Sequence, residues 1–249
     1  MQETNFLQTH TWQPFAPFTS HPFFTLNRET IINTWIVLAL LLIIGLLIHI
    51  MLKKEAGIVR YLVFSGVQSF IDLTTQTLGG FKANHFYFCT SLFVFIAFCN
   101  CITVLPWTEE PTADINTTLA MGLLSFFYTQ WYAIRAHGIF AYIKEYFAPL
   151  FVMFPLHVIG KLSSIISLSF RLFGNIFGGS VIARLYLSFI KGSIIWETSL
   201  LGVGLGITLF FVVFEGLLQA FVFAMLSLTY LAIAVEHPEE EAMQLGDMP

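Results

Sequence analysis

From Ile31 to Met51 the chain carries no charged residue. Coiled as a helix, such a run crosses the roughly 30 Å hydrocarbon core of a bilayer. Lipid offers backbone polar groups no water to bond, so a spanning segment must be a helix or part of a closed barrel. The remaining sequence keeps this character. Of its 249 residues 57% are hydrophobic and only 10% charged, where a soluble domain carries about a quarter. These figures exclude a soluble enzyme, a disordered chain and a nucleic-acid binder, which needs a clustered basic surface. They leave an all-α polytopic membrane protein in a lipid bilayer.

The net charge of −4 names no partner, because in such a protein the placement of charge matters more than its sum. The N-terminal arm, residues 1–30, contains Pro14, Pro17 and Pro22, which disfavour a helix. Its first basic residue is Arg28, so a cleavable signal peptide is not expected. The first span ends at Lys53 and Lys54, with Arg60 close behind. By the positive-inside rule that end is cytoplasmic and the N-terminus lies outside.

From Ile58 to Leu78 the pattern changes. Val59, Leu62, Val63, Gly66, Phe70 and Leu73 share one helical face, and Arg60, Gln68, Asp72, Thr75 and Gln76 the other, as in a helix lying in the membrane interface. A second span, Phe86 to Leu105, leads to a loop with Glu109, Glu110 and Asp114. A third, Ile115 to Ile134, returns to Arg135, His137 and Lys144. Residues 31–145 thus form a group of peripheral spans with one interfacial helix.

Residues 146–235 are different. Two apolar segments, Pro155 to Ile190 and Ile194 to Val235, are separated only by Lys191-Gly192-Ser193. About 36 residues make about 54 Å of helix, which must tilt strongly to stay in the bilayer. A hairpin of two long, strongly tilted, antiparallel helices is expected, followed by a cytoplasmic acidic tail over residues 236–249.

Arg171 stands near the middle of the first long helix, where an arginine costs from about 3 to over 10 kcal/mol. No carboxylate lies at i±3 or i±4; Asn175, at i+4, can hydrogen-bond but cannot neutralise. The charge therefore snorkels, makes a static pair, or faces water, another helix or a carboxylate on another chain. Ser164, Ser167, Gly174, Asn175 and Gly178 share its face, and small residues let a neighbouring helix approach closely. On the last helix Glu215 and Gln219 are spaced i, i+4 on one face, with Thr208 two turns earlier. A buried carboxylate can exchange a proton, whereas arginine effectively cannot. Arg171 can then be a fixed electrostatic gate beside a relay. His157, Lys161, Ser180 and Thr208 are candidate lining of an ion path, while Arg184, beyond Ser180, is placed to snorkel to the outer interface. Asp114 and Asn116 read as a helix cap.

His49, His85 and His137 are scattered without metal-ligand spacing. Cys89, Cys99 and Cys101 lie in one apolar stretch, where they act as small hydrophobes. Neither a metal nor a cofactor is expected, and this chain carries no sign of covalent chemistry.

The stretch Ser167-Leu-Ser-Phe-Arg-Leu-Phe-Gly-Asn-Ile-Phe-Gly-Gly179 closely resembles the signature of subunit a of the rotary F-type ATP synthase. Pro111-Thr-Ala-Asp-Ile-Asn-Thr-Thr-Leu119 and Leu218-Gln-Ala-Phe-Val-Phe-Ala-Met-Leu226, with Tyr230 beyond, are similar to two further segments of that family. The resemblance implies a stationary, non-catalytic subunit of the membrane sector. Its partners would be a ring of c subunits and the subunit b peripheral stalk, with the soluble F1 sector reached indirectly. It implies that Arg171 faces the ring's carboxylates and separates two aqueous half-channels, with Asn175 and Gln219 near it. It also implies an energy-coupling membrane, here a bacterial plasma membrane by default. The match is incomplete. Many relatives carry an acid or histidine nine residues after the arginine and another seven before the glutamine, where this chain has Ser180 and Val212. Glu215 then stands as the carboxylate of the outer half-channel.

Two other classes compete. A proton- or sodium-coupled secondary transporter would show inverted repeats and broken helices, and no internal repeat is visible in the sequence. A membrane-embedded hydrolase would need His and acid ligands at fixed spacing.

Overall fold

The computed structural model describes residues 11–12, 26–53, 57–102, 108, 110–147, 154–190, 202, 206 and 209–235. A two-residue antiparallel ribbon pairs Thr11 with Asn27 and Trp12 with Leu26. The helices are α1 (Arg28–Leu52), α2 (Ile58–Leu78), α3 (Ala83–Cys101), α4 (Ile115–His137), α5 (Ile139–Phe147), α6 (Phe154–Ile190) and α7 (Gly216–Val235). A 3₁₀ turn, Pro111–Ala113, precedes α4, and a π-helical segment, Leu209–Glu215, runs directly into α7. The chain is an all-α polytopic membrane protein, as its uncharged runs require.

Four of the described helices are long and apolar enough to cross a membrane: Arg28–Leu52, Ala83–Cys101, Phe154–Ala183 and Gly216–Val235. α4 falls short of that apolarity, although its 23 residues make about 35 Å of helix. The reason is its inward face, where Thr118, Ser125 and Thr129 are buried. α2 is also excluded. It turns Val59, Val63, Phe70 and Leu73 partly inward, buries Thr74 and leaves Arg60, Gln68, Asp72 and Gln76 exposed, the amphipathic pattern of an interfacial helix. Gly79 closes it in the left-handed conformation, φ 66°, which glycine adopts without steric cost.

The helix ends have identifiable causes. Asn27 caps α1 by accepting from the Glu29 amide at 3.1 Å. Asp114 caps α4, its Oδ1 accepting from the Asn116 amide at 2.9 Å, as the sequence predicts. Its Oδ2 also accepts from the Thr30 hydroxyl at 3.1 Å, tying α1 to α4. The short helix α5 was not anticipated. It follows Gly138, whose φ of 79° breaks α4.

The core forms where α3, α6 and α7 meet. Leu92, Ile96 and Ala97 of α3 pack with Leu168, Leu172 and Ile176 of α6 and with Ala220 and Phe223 of α7. Beside this, Cys89 packs against Ala224 and Leu228, and its thiol points at the Ala224 carbonyl, 3.7 Å away. The three cysteines are unpaired. By contrast α1 buries only Asn33 and Val37. Trp35, Leu42, Leu46 and Ile50 stay exposed, as lipid-facing residues would.

Close approach of α4 and α6 depends on Gly122. A Cβ there would fall inside the van der Waals radius of Ser169 Oγ, which is buried without a hydrogen-bond partner among the described residues. Gly122→Ala should therefore overpack the contact and cost about 1–3 kcal/mol. Adding Ser169→Ala, which removes an atom that bonds nothing among the described residues, should recover most of that loss. Thermal unfolding of the four variants in detergent checks both expectations; no recovery in the double variant would place the strain elsewhere.

Candidate functional site

α6 is a single helix of 37 residues, about 55 Å long, with Arg171 close to its centre. The heptad-like burial of Ile165, Leu168, Leu172 and Ile176 turns one side of α6 to the core and leaves Ser167, Arg171 and Gly174 exposed on the other. Around Gly160, Gly174 and Gly178 no heavy atom lies within 4 Å of a would-be Cβ. Over Ser167, Arg171, Gly174 and Gly178 no described residue covers the small-residue face. Among the described residues no carboxylate lies within ion-pair distance of Arg171, and Asn175 beside it is half-buried.

α7 brings the second group of residues to the same level. Leu172 and Ile176 share a core cluster with Ala220 and Phe223, and further along a Cβ on Gly179 would sit 2.8 Å from the Phe211 ring. Gln219, at 8% exposure, is buried next to Ala220. Its amide makes no hydrogen bond among the described residues. Glu215 is half-buried and is not paired with Arg171. The static internal pair weighed from sequence is thus not formed. The last long segment is also not a uniform α-helix as the hydrophobic run suggested. Its i→i+5 bonding over Leu209–Glu215 changes to i→i+4 bonding at Gly216, a local rearrangement common at functional positions.

Two cavities lie along α6. One, of about 240 Å³, is lined by Lys161 and Ser164 of α6, by Ser125, Thr129 and Gln130 of α4, and by Tyr230 of α7. Lys161 Nζ lies 3.5 Å from Gln130 Oε1 and 4.9 Å from the Tyr142 ring centre, a cation–π contact; the Tyr142 hydroxyl also donates to Gln130. The other cavity, of about 340 Å³, is lined by Thr30, Asn33, Glu110, Asp114, Phe173 and Phe177. Along α6 the first reaches residues 160–168 and the second 173–177. Arg171 falls between them.

Of the other residues singled out from sequence, His157 is exposed and does not line the first cavity. The Ser180 hydroxyl donates to the Phe177 carbonyl of its own helix at 2.8 Å. Thr208, the turn at Lys191-Gly192-Ser193 and the acidic tail lie outside the described residues, as do the side chains of Arg184 and Val212. Sequence reading missed Asn100. Fully buried on α3, it donates through Nδ2 to the Gly216 carbonyl at 2.8 Å and accepts from the Thr112 hydroxyl at 2.6 Å. The signal available was an asparagine inside an apolar span, where a polar amide needs partners.

These features define a polytopic helical membrane protein that offers a mid-helix guanidinium on a small-residue face that no described residue covers. Residues 31–232 match the family model described as ATP synthase A chain, and the chain belongs to that family. It is 36% identical to the ATP synthase subunit a of Desulfosudis oleivorans, over 83% of this chain and 88% of that one. It is 34% identical to that of Syntrophobacter fumaroxidans, over 82% and 83%. It is 28% identical to a sodium ion specific ATP synthase subunit a from Propionigenium modestum, over 81% and 72%.

Proposed function

We propose that this chain is the stationary ion-translocating subunit of an F-type ATP synthase. It passes protons through two aqueous half-channels to and from the carboxylates of a rotating c-ring, with Arg171 as the barrier between them. ATP chemistry belongs to the F1 sector, and a subunit b stalk holds this chain against rotation. Residues 146–235 form the part that faces the ring and residues 31–145 pack behind it. The N-terminus lies outside and the C-terminus in the cytoplasm of a bacterial plasma membrane.

One observation carries this reading. Arg171 is exposed on the small-residue face of α6 without an acid of its own chain to pair with among the described residues. A permanent cation at that depth is tolerable only beside water or an anionic partner, and the adjacent glycines admit a close helix. Along the axis of α6 the two cavities stop on either side of the level of Arg171, which supports two separate approaches. Glu215 and Gln219 stand on the ring-facing helix pair, and Lys161, Ser164 and Thr129 line the inner approach.

Cysteine cross-linking in the assembled complex tests the face. Gly174→Cys and Gly178→Cys should form disulfides with cysteines placed on the ring's outer helices, and Leu124→Cys, exposed on α4, should not. A ring that links to Leu124→Cys instead would assign the docking face to α4. A chain that purifies alone as an oligomer would favour a secondary transporter.

A further inference from the structure

The π-helical segment ends at Glu215, one residue before α7 begins. Over Leu209–Glu215 the bonding is i→i+5, and from Gly216 onward it is i→i+4. Converting the segment to α-helix tightens its winding at every residue, so relative to α7 the rotation grows upstream from the junction and reaches about 100°, the angle of one residue, only at the far end. Glu215 is the last residue before the junction and Gln219 lies after it. Glu215, bonded to Gly216, points wherever the backbone at the junction is set against α3, and the far end of the segment, at Phe210, turns with the π register.

A contact from outside the helix fixes the backbone at that junction. Asn100, on α3 and with 0% exposure, donates from Nδ2 to the carbonyl of Gly216, the junction residue itself. A Cβ on Gly216 would stand 3.0 Å from Asn100 Cβ, so glycine is what allows α3 and α7 to meet there. The amide of Asn100 is in turn fixed: its Oδ1 accepts from Thr112 Oγ1, in a threonine that is also fully buried. Thr112 belongs to the 3₁₀ turn that leads into Asp114, whose side chain lines the larger cavity. In a buried, low-dielectric setting such a chain of bonds is costly to break at any link.

We propose that Asn100, oriented by Thr112, is a positioning residue that holds the π-to-α junction at Gly216 and thereby sets the aim of Glu215. The inference rests on the reading of Glu215 as a proton carrier, and the test separates the two. In the complete synthase, stripped of the chain's own cysteines, single cysteines are introduced as Phe210→Cys, Glu215→Cys and Leu218→Cys. Their rates of labelling by a water-soluble thiol reagent are compared with and without Asn100→Ala. Proton conduction through the membrane sector is measured separately with Glu215 in place. Thr112→Val serves as a second variant that leaves Asn100 intact and removes only its anchor.

Asn100→Ala is expected to change the labelling rates at positions 210 and 215 by about tenfold, the weight of one buried hydrogen bond. The rate at position 218, beyond the junction, should stay unchanged. Conduction should fall, and in a Glu215→Gln background Asn100→Ala should lower it no further, since the side chain it aims is already gone. Thr112→Val should shift labelling in the same direction by less. Unchanged labelling at position 215 in both variants, in complexes that assemble normally, overturns the inference. Altered labelling with unchanged conduction upholds the clamp and removes Glu215 from the ion path.

Discussion

Arg171→Ala should abolish ion-driven ATP synthesis in vesicles that contain the complete complex. The exposed guanidinium has no competing carboxylate among the described residues of its own chain, so its whole field is available to an arriving acid. Loss of a close, partly desolvated charge partner is worth about 2–5 kcal/mol, or roughly 30- to several-thousand-fold in rate. Arg171→Lys should recover little. An ammonium is a compact point charge that sheds its proton readily when buried, whereas guanidinium stays charged. Passive ion leak through the membrane sector should rise in the alanine variant, because the electrostatic barrier between the two approaches is gone. The encounter must also be brief. One charge crossing 100 mV gains about 2.3 kcal/mol, and a dry bidentate pair would hold the ring more tightly than that. ATP synthesis and leak, measured on vesicles with matched amounts of complex, check the prediction; normal synthesis in Arg171→Ala would remove Arg171 from the mechanism.

Glu215→Gln should slow proton passage by about 10²-fold, the usual weight of a positioned acid–base group, while assembly stays intact. The two side chains have the same shape. Glu215 is half-buried and makes no hydrogen bond or ion pair among the described residues, so the amide disturbs little. Glu215→Asp should keep a larger share of the rate because it can still exchange a proton. Proton uptake in vesicles energised by a potassium diffusion potential reads the effect. Wild-type rates in Glu215→Gln would reassign this carboxylate to packing.

Much of the architecture was legible because lipid imposes a simple rule. A run without charges must be a helix, and α1 and α6 begin and end within a few residues of where the charges and Pro155 place them. The amphipathic face of α2 and the Asp114 cap were equally readable, since periodicity and capping are local properties. Other features were not. The π segment follows from a change in backbone bonding that leaves the apolar pattern of Leu209–Glu215 untouched. The polar cavity beside Lys161 draws Thr129 and Gln130 from α4 and Tyr230 from α7, residues whose proximity depends on how three helices pack.

The sequence by itself determined that the chain lives in a membrane, that several of its segments are long and apolar enough to cross it, and that one permanent cation sits midway along α6. Helical period also set which residues share the face of Arg171. Only the tertiary structure decided that no described residue covers this face, that Glu215 does not neutralise the charge, and that Asn100 reaches Gly216, 116 positions away in the chain. The physical reason is that spacing along a helix fixes angles within that helix alone. Which side turns toward a neighbour is chosen by the packing of Leu168, Leu172 and Ile176 against α3 and α7, and no single helix contains that information.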